Sequence, residues 1–386
     1  MEYMATAQQK PPRYFIKTYG CQANVHDAAK LAVVLESVGY EPIDDVEQSD
    51  IALIVTCVVR QNAEDRAAGY IRSLTGAKER NPNLKIAVCG CLVTEPGRDL
   101  QAQFPHVDLF IPPNDCRMLA DYLHLTFDLP VRQAGIGHLS LVPHDHGPTS
   151  TTYVSIMNGC DNYCSYCVVP YVRGRETSRP MADVLAETKE LIGQGITDIT
   201  LLGQNVNSYR FGLSDLLIAI HSFVISHSSL VIRFMTSHPK DMSDVIIETI
   251  AKLPYVAKEF HLPAQSGDDD ILKAMNRKYT VDYYLDRIAK IRSLMPAARI
   301  TSDLMVGFPG ETEAQFKNTL KLLEQVRFNA VNMFAYSPRP MTAAAKMLDQ
   351  VPDEIKEERL QRLIGLNRET LNHNQQLNVA VNGGYN

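Results

Sequence analysis

An excess of positive charge is missing from this chain. Its 38 lysines and arginines stand against 44 aspartates and glutamates, a formal net charge of −6. That excludes a protein that coats nucleic acid through its overall charge, though not one with a local basic patch. Long apolar runs are missing too, and no stretch is long enough to span a bilayer. The opening residues, MEYMATAQQKPPR, lack the apolar core of a secretion signal. The expectation is a cytoplasmic chain with no membrane contact, in which residues 1–12 form a tail.

What the sequence does have is length and cysteine. Its 386 residues, 45% of them apolar, exceed one ordinary core, and two domains are expected. The eight cysteines are Cys21, Cys57, Cys89, Cys91, Cys116, Cys160, Cys164 and Cys167. Cytoplasmic chains seldom spend cysteines on disulfides, so metal binding or redox chemistry is the better reading for any that cluster.

Hydrophobic patterning divides the chain. From residue 13 to 127 strands and helices alternate. An extended run starts at Tyr14–Phe15–Ile16 and ends at Gly20–Cys21. Ile51–Val55 is continuously apolar and runs into Cys57; Lys85–Val88 runs into Cys91. Helices are predicted from an Asn24 cap to Ser37 and from Asn62 to Leu74. This β-α-β-α-β order predicts a parallel, Rossmann-like sheet. Residues 128–150, rich in proline and glycine, read as a linker; His144 and His146 there read as solvated rather than metal-binding. A second series fills 151–378. Its predicted strands are Tyr153–Met157, Ile199–Leu202, Val231–Met235, Glu259–Leu262, Ile300–Val306 and Ala330–Ala335, with helices such as Ala182–Leu191 and Tyr283–Leu294 between them. Six such units predict a partial (β/α)6 barrel, and one charged helix from Asp353 to about Asn378 follows. The fold class is therefore α/β throughout.

The sharpest chemical signal is Cys160-Asp-Asn-Tyr-Cys164-Ser-Tyr-Cys167, just after the first strand of the second series. Three thiolates this close can hold three irons of a four-iron cube, leaving one iron open to a small molecule. Structural zinc sites show paired C-x-x-C units instead, and the x-x-x then x-x spacing argues against one. The second grouping, Cys21, Cys57 and Cys91, emerges only from topology. Each ends a predicted strand of one parallel sheet, and the carboxyl edge of such a sheet is where ligands bind. On residues alone, three unrelated core cysteines are the favoured reading. Cys89 is spaced to face the same side of its strand as Cys91, and Cys116 matches no motif; both read as structural.

The run from Ser155 through Cys160, Cys164 and Cys167 to Arg173-Gly-Arg-Glu-Thr-Ser-Arg-Pro180 resembles the radical S-adenosylmethionine superfamily, and within it the methylthiotransferases of the tRNA-modifying type. So do Leu201-Leu-Gly-Gln-Asn-Val-Asn-Ser-Tyr209, His261-Leu-Pro-Ala-Gln-Ser-Gly267, Leu272-Lys-Ala-Met-Asn-Arg-Lys-Tyr-Thr280 and Val306-Gly-Phe-Pro-Gly-Glu-Thr312. The resemblance covers about residues 13 to 375. It implies a [4Fe–4S] cluster on Cys160, Cys164 and Cys167, and an auxiliary [4Fe–4S] cluster on Cys21, Cys57 and Cys91. It also implies S-adenosylmethionine used twice per turnover, once as methyl donor and once as radical source. Tyr166, Gln204, Asn205, Ser237 and Gln265, which lie beside the cysteine motif or after the barrel strands, are expected to contact that cofactor, with Gly307 to Glu311 nearby. No catalytic acid or base is assigned.

The implied reaction adds a methylthio group to carbon 2 of N6-isopentenyladenosine beside a tRNA anticodon, with a reductant protein such as a flavodoxin or ferredoxin and a monomeric enzyme. The base must leave its stack to reach the barrel interior. Arg173, Arg175, Arg179 and Arg339 either bind RNA phosphates or sit in ion pairs. Two rivals are methylthiolation of a ribosomal-protein aspartate and an iron–sulfur electron carrier or RNA-binding module without turnover. Relatives often end in a small β-barrel called TRAM; no segment here reads as five short strands.

Overall fold

The computed structural model describes residues 10–59, 61–127, 151–224 and 230–382. The expected linker, with His144 and His146, and most of the expected tail lie outside the described residues. The chain divides into two units, Met1–His144 with Tyr171–Arg173, and Asp145–Pro170 with Gly174–Asn386.

The first unit follows from its strands. β3 (Ile51–Thr56) is buried at all six positions, as a strand covered on both faces must be. β1 (Arg13–Thr18) and β4 (Lys85–Gly90) pair with it on either side, both parallel. Two short strands extend the sheet to the order β2-β1-β3-β4-β5: β2 (Glu41–Pro42) and β5 (Leu109–Ile111). At two and three residues they are too short to leave a periodic signal in the sequence. α1 (Gln22–Ser37), α2 (Gln61–Arg80), α3 (Leu100–Gln103) and α4 (Cys116–Phe127) complete the unit. One core joins Leu31, Val34 and Leu35 of α1 to Leu53 and Val55 of β3 and to Leu119 and Leu123 of α4. α1 starts earlier than the Asn24 cap predicts. Cys21 is the N-cap, and Asn24 is the third helical residue, whose side chain reaches back to the Cys21 N–H at 3.4 Å.

The second unit opens with β6 (Thr151–Ser155) and the two-residue strand β7 (Met157–Asn158). β7 pairs antiparallel with β8 (Thr177–Ser178), with α5 (Val169–Val172) between them in sequence. This pairing clamps the base of the loop that carries Cys160, Cys164 and Cys167. Then come α6 (Met181–Gly193), β9 (Asp198–Leu202), α7 (Leu213–Val224), β10 (Val231–Phe234) and α8 (Asp244–Lys252). β11 (Glu259–His261), α9 (Asp269–Ala274), α10 (Val281–Leu294) and β12 (Arg299–Val306) follow. The last elements are α11 (Glu313–Val326), β13 (Ala330–Ala335) and α12 (Asp353–Asn382). Six of these strands form two parallel sheets, β10-β9-β6 and β11-β12-β13, and an isolated parallel bridge joins Ile232 of β10 to Val256. Strand–helix alternation with parallel pairing is the expected partial barrel. Within each sheet the strands point one way, so the segments that follow β6, β9 and β10 leave one edge together, as do those that follow β11, β12 and β13.

Candidate iron–sulfur and cofactor centres

In the first unit, Cys21 follows β1, Cys57 directly follows β3 and Cys91 directly follows β4. These strands are neighbours in the order β1-β3-β4, so the three residues stand side by side at the carboxyl edge. Gly20 makes the approach feasible: it has φ +120°, and a Cβ there would lie 2.4 Å from the Cys57 Cβ. The thiols interact. Hydrogen bonding from Cys57 is the chief cause that brings the Cys21 thiol down to about 6, helped by Arg173 and by the N–H groups that open α1. The same bond pushes Cys57 up, with burial second; burial likewise raises Cys91, against the pull of Arg173. Cys21 is solvent-exposed, whereas Cys57 and Cys91 are buried.

Polar groups fix this edge. Asn24 Nδ2 donates to the Thr56 carbonyl at 2.7 Å, and the Cys21 thiol donates to Asn24 Oδ1 at 3.3 Å. Thr56 Oγ1 donates to the Cys89 carbonyl at 2.7 Å. Arg173 donates to Asp27 at 2.8 Å, with both side chains buried, and lends positive charge to Cys21 and Cys91. Cys89 does not share the side of Cys91. Gly90 takes φ +97° and turns the chain, so Cys89 packs in the apolar core with Cys116.

In the second unit, Cys160, Cys164 and Cys167 share one loop. Cys164 is buried; the other two are half-buried. Burial is the first cause that raises Cys160 and that raises Cys167 to about 12, and the charge of Cys164 adds to both. The loop is held at several points. Gly159 N donates to Gln204 Oε1 at 2.7 Å, Ser165 Oγ to the Ala274 carbonyl at 2.8 Å, and Asn276 Nδ2 to the Tyr163 carbonyl at 2.9 Å.

The five residues expected at the cofactor fall in different states. Gln204 is spent on Gly159, next to Cys160. Asn205 uses both ends of its amide: Nδ2 donates to Asp241 at 2.7 Å, and Oδ1 accepts the His238 N–H at 3.0 Å. Both therefore act as supports in this arrangement. Ser237 Oγ is buried with no hydrogen-bond partner among the described residues, the condition of a hydroxyl that awaits a ligand. Gln265 sits at φ +67° and bridges to Leu304 through its backbone. Its side-chain amide has no hydrogen bond among the described residues. Tyr166 Oη accepts from Arg277 at 3.3 Å.

Arg277 is a site residue that motif reading missed, whereas His238, beside Ser237 after β10, is expected near the cofactor from its place at a strand end. Arg277 Nη1 lies 3.5 Å from Cys164 Sγ, and His238 Nε2 lies 4.0 Å from the same sulfur. His238 Nδ1 accepts from the Lys240 N–H at 3.3 Å, which leaves the proton on Nε2, facing the sulfur. Burial, seconded by Arg277, holds this imidazole well below its ordinary pKa, so it stays neutral.

Among the described residues, no three or more His, Cys, Asp or Glu side chains close around a point that one metal ion would occupy. The donor chemistry fits iron–sulfur clusters in both units: three soft, mutually interacting thiols each. The arginines expected for RNA are mostly occupied. Arg173 pairs with Asp27 and Arg179 with Glu187; Arg339 is buried; Arg175, 75% exposed, pairs with Asp161.

Residues 154–323 match the radical SAM superfamily, and residues 13–112 match the uncharacterized protein family UPF0004. The tRNA-2-methylthio-N(6)-dimethylallyladenosine synthase of Clostridium perfringens is 41% identical over 387 residues, covering 95% of this chain and 85% of that protein. The synthase of the same name from Thermoanaerobacter pseudethanolicus is 44% identical over 363 residues, covering 92% of this chain and 77% of that one. Among solved structures, the radical S-adenosylmethionine methyltransferase TsrM from Kitasatospora setae superposes with a TM-score of 0.66 at 14% identity. It covers 87% of this chain and 77% of TsrM, a likeness of fold. The chain belongs to the tRNA-2-methylthio-N(6)-dimethylallyladenosine synthase family of radical S-adenosylmethionine methylthiotransferases.

Proposed function

We propose that this chain adds a methylthio group to carbon 2 of N6-isopentenyladenosine beside a tRNA anticodon, using two [4Fe–4S] clusters and two molecules of S-adenosylmethionine per turnover. The observation that carries the reading is the pair of thiol triplets: Cys21, Cys57 and Cys91 at one sheet edge, and Cys160, Cys164 and Cys167 in one clamped loop. When bound, a cluster with an open iron and S-adenosylmethionine supply one-electron chemistry strong enough to take hydrogen from an unactivated carbon.

The chain's own residues provide the setting. Gln204 and the β7–β8 pair hold the Cys160 loop in place. Tyr166, Ser237 and Gln265 present a phenol, an uncommitted hydroxyl and an uncommitted amide for the cofactor. At the other triplet, the lowered Cys21 thiol favours the thiolate that iron requires. Three thiols rather than four leave a corner for a sulfur ligand.

An external reductant such as a flavodoxin or ferredoxin, and work in the cytoplasm where tRNA is processed, complete the proposal. Among the described residues no helix is long and apolar enough to cross a membrane. The relatives' shared name favours tRNA over a ribosomal-protein aspartate, and it favours an enzyme over a carrier. Anaerobic reconstitution followed by iron analysis tests the two-cluster reading. About eight irons per chain are expected, and about four would remove the auxiliary cluster.

A further inference from the structure

Arg277 is a buried cation with no carboxylate to answer it. The residue is 4% exposed. Its guanidinium donates from Nη2 to the Pro263 carbonyl at 2.6 Å and from Nε to Tyr279 Oη at 3.1 Å. Nη1 reaches Tyr166 Oη at 3.3 Å and Cys164 Sγ at 3.5 Å. None of these partners is a carboxylate, and the one sulfur among them belongs to Cys164. Among the described residues no Asp or Glu pairs with Arg277. Two other arginines with buried side chains are matched by carboxylates: Arg173 has Asp27, and Arg359 has Glu311.

Taking a guanidinium out of water is costly unless an anion compensates it. The fold nonetheless fixes this one firmly. Tyr279 Oη also donates to the Ala264 carbonyl at 2.8 Å, so Arg277 and Tyr279 together tie down the segment between β11 and Gln265. The neutral His238 ring meets Tyr279 edge to face, with centroids 5.7 Å apart, and offers a second N–H to the Cys164 sulfur.

We infer that Arg277 is the fixed counter-charge of the Cys164 thiolate, a positioning residue that sets the reduction potential of the cluster on Cys160, Cys164 and Cys167. The inference rests on the reading that those cysteines hold iron. Adding an electron to the cluster makes it more negative. A buried positive charge that also donates a hydrogen bond to a ligating sulfur stabilises the reduced form and raises the potential. Arg277 would thereby help a weak cellular reductant load the electron that cleaves S-adenosylmethionine. His238 adds a weaker, neutral donor to the same sulfur.

The test uses the full chain with Cys21, Cys57 and Cys91 replaced by alanine, so that only one cluster is loaded and read. Arg277→Met and Arg277→Lys are compared with this parent by anaerobic iron analysis and by potentiometric titration of the reduced-cluster EPR signal. The expected result is about four irons in each protein, a clearly lower midpoint potential in Arg277→Met, and an intermediate one in Arg277→Lys. A merely structural role would lower the melting temperature and leave the potential unmoved. Equal potentials in parent and Arg277→Met, both fully loaded, overturn the inference. If Arg277→Met does not load, Arg277→Gln, which also removes the charge, decides in its place, and a potential equal to the parent's overturns the inference. A parent with no four-iron signal overturns the cluster reading itself, and this inference with it.

Discussion

Arg359 of α12 donates to the Glu311 carboxylate at 2.8 Å, with side-chain exposures of 7% and 0%. A second donation from Arg359, to the Glu311 carbonyl at 2.9 Å, and one from the Gly307 N–H to the carboxylate at 2.7 Å complete the lock. The turn after β12, which the sequence marks as Gly307-Phe-Pro-Gly-Glu311, is thus pinned by a helix almost fifty residues later. Removing one partner of a buried pair leaves the other uncompensated. Arg359→Met is expected to lower stability by about 3 kcal/mol, measured by urea unfolding followed by far-ultraviolet circular dichroism. An unchanged midpoint would show the pair to be idle.

The same carboxyl carries a pH dependence. Burial raises the Glu311 pKa, against the Gly307 N–H and Arg359, which lower it. A raised folded value means the native state binds the proton more tightly than the unfolded chain does. The stability from this group is therefore full below the unfolded value, and it is lost as pH rises through the folded one. Glu311→Gln removes this slope. The stability advantage of wild type over Glu311→Gln should shrink as pH rises above the ordinary glutamate range; a widening advantage would reverse the assigned sign.

Gly20 has a sharper test. Any Cβ at its φ of +120° meets the Cys57 Cβ at 2.4 Å. Gly20→Ala should displace Cys21 and cut bound iron from about eight to about four per chain. Deoxyadenosine should still form, because the Cys160 loop is untouched. Full iron in this variant would show that Cys21 and Cys57 do not need their close approach.

In cluster-free protein, Cys21 should behave as the reactive thiol. Its pKa is about 6, chiefly through Cys57, so its alkylation by iodoacetamide should be near its plateau at neutral pH and fall to half near that value. Cys57→Ala removes the main cause and should move the half-point up toward the ordinary thiol value of about 8.5. A half-point that stays put would contradict the assigned hydrogen bond.

Much of this architecture was legible before any coordinates. Ile51–Val55 announces a strand buried on both faces because nothing in it tolerates water, and β3 is buried throughout. The six barrel strands were readable from their apolar residues and their regular alternation with amphipathic helices, within about two residues at each end. The cysteines were readable because each ends a strand or shares a short spacing. Arg277 was not. It stands 113 residues from Cys164, in a Met-Asn-Arg-Lys-Tyr stretch of surface-like composition, and only tertiary closure buries it. The three-residue offset at α1 has a local cause: Asn24 is a good cap by residue type, yet Cys21 takes the cap and Asn24 the reciprocal position. Gly90 defeated the reading of Cys89 and Cys91, since period-two alternation holds only while the strand stays extended.

The central claim is that both thiol triplets serve one reaction on tRNA. Its most direct measurement is mass spectrometry of tRNA nucleosides from a strain lacking its own synthase and supplied with this chain. Wild type should restore 2-methylthio-N6-isopentenyladenosine, while Cys164→Ala and Cys57→Ala should each leave N6-isopentenyladenosine unconverted. Restored methylthio nucleoside in either variant, or none with wild-type chain carrying both clusters, would contradict the account.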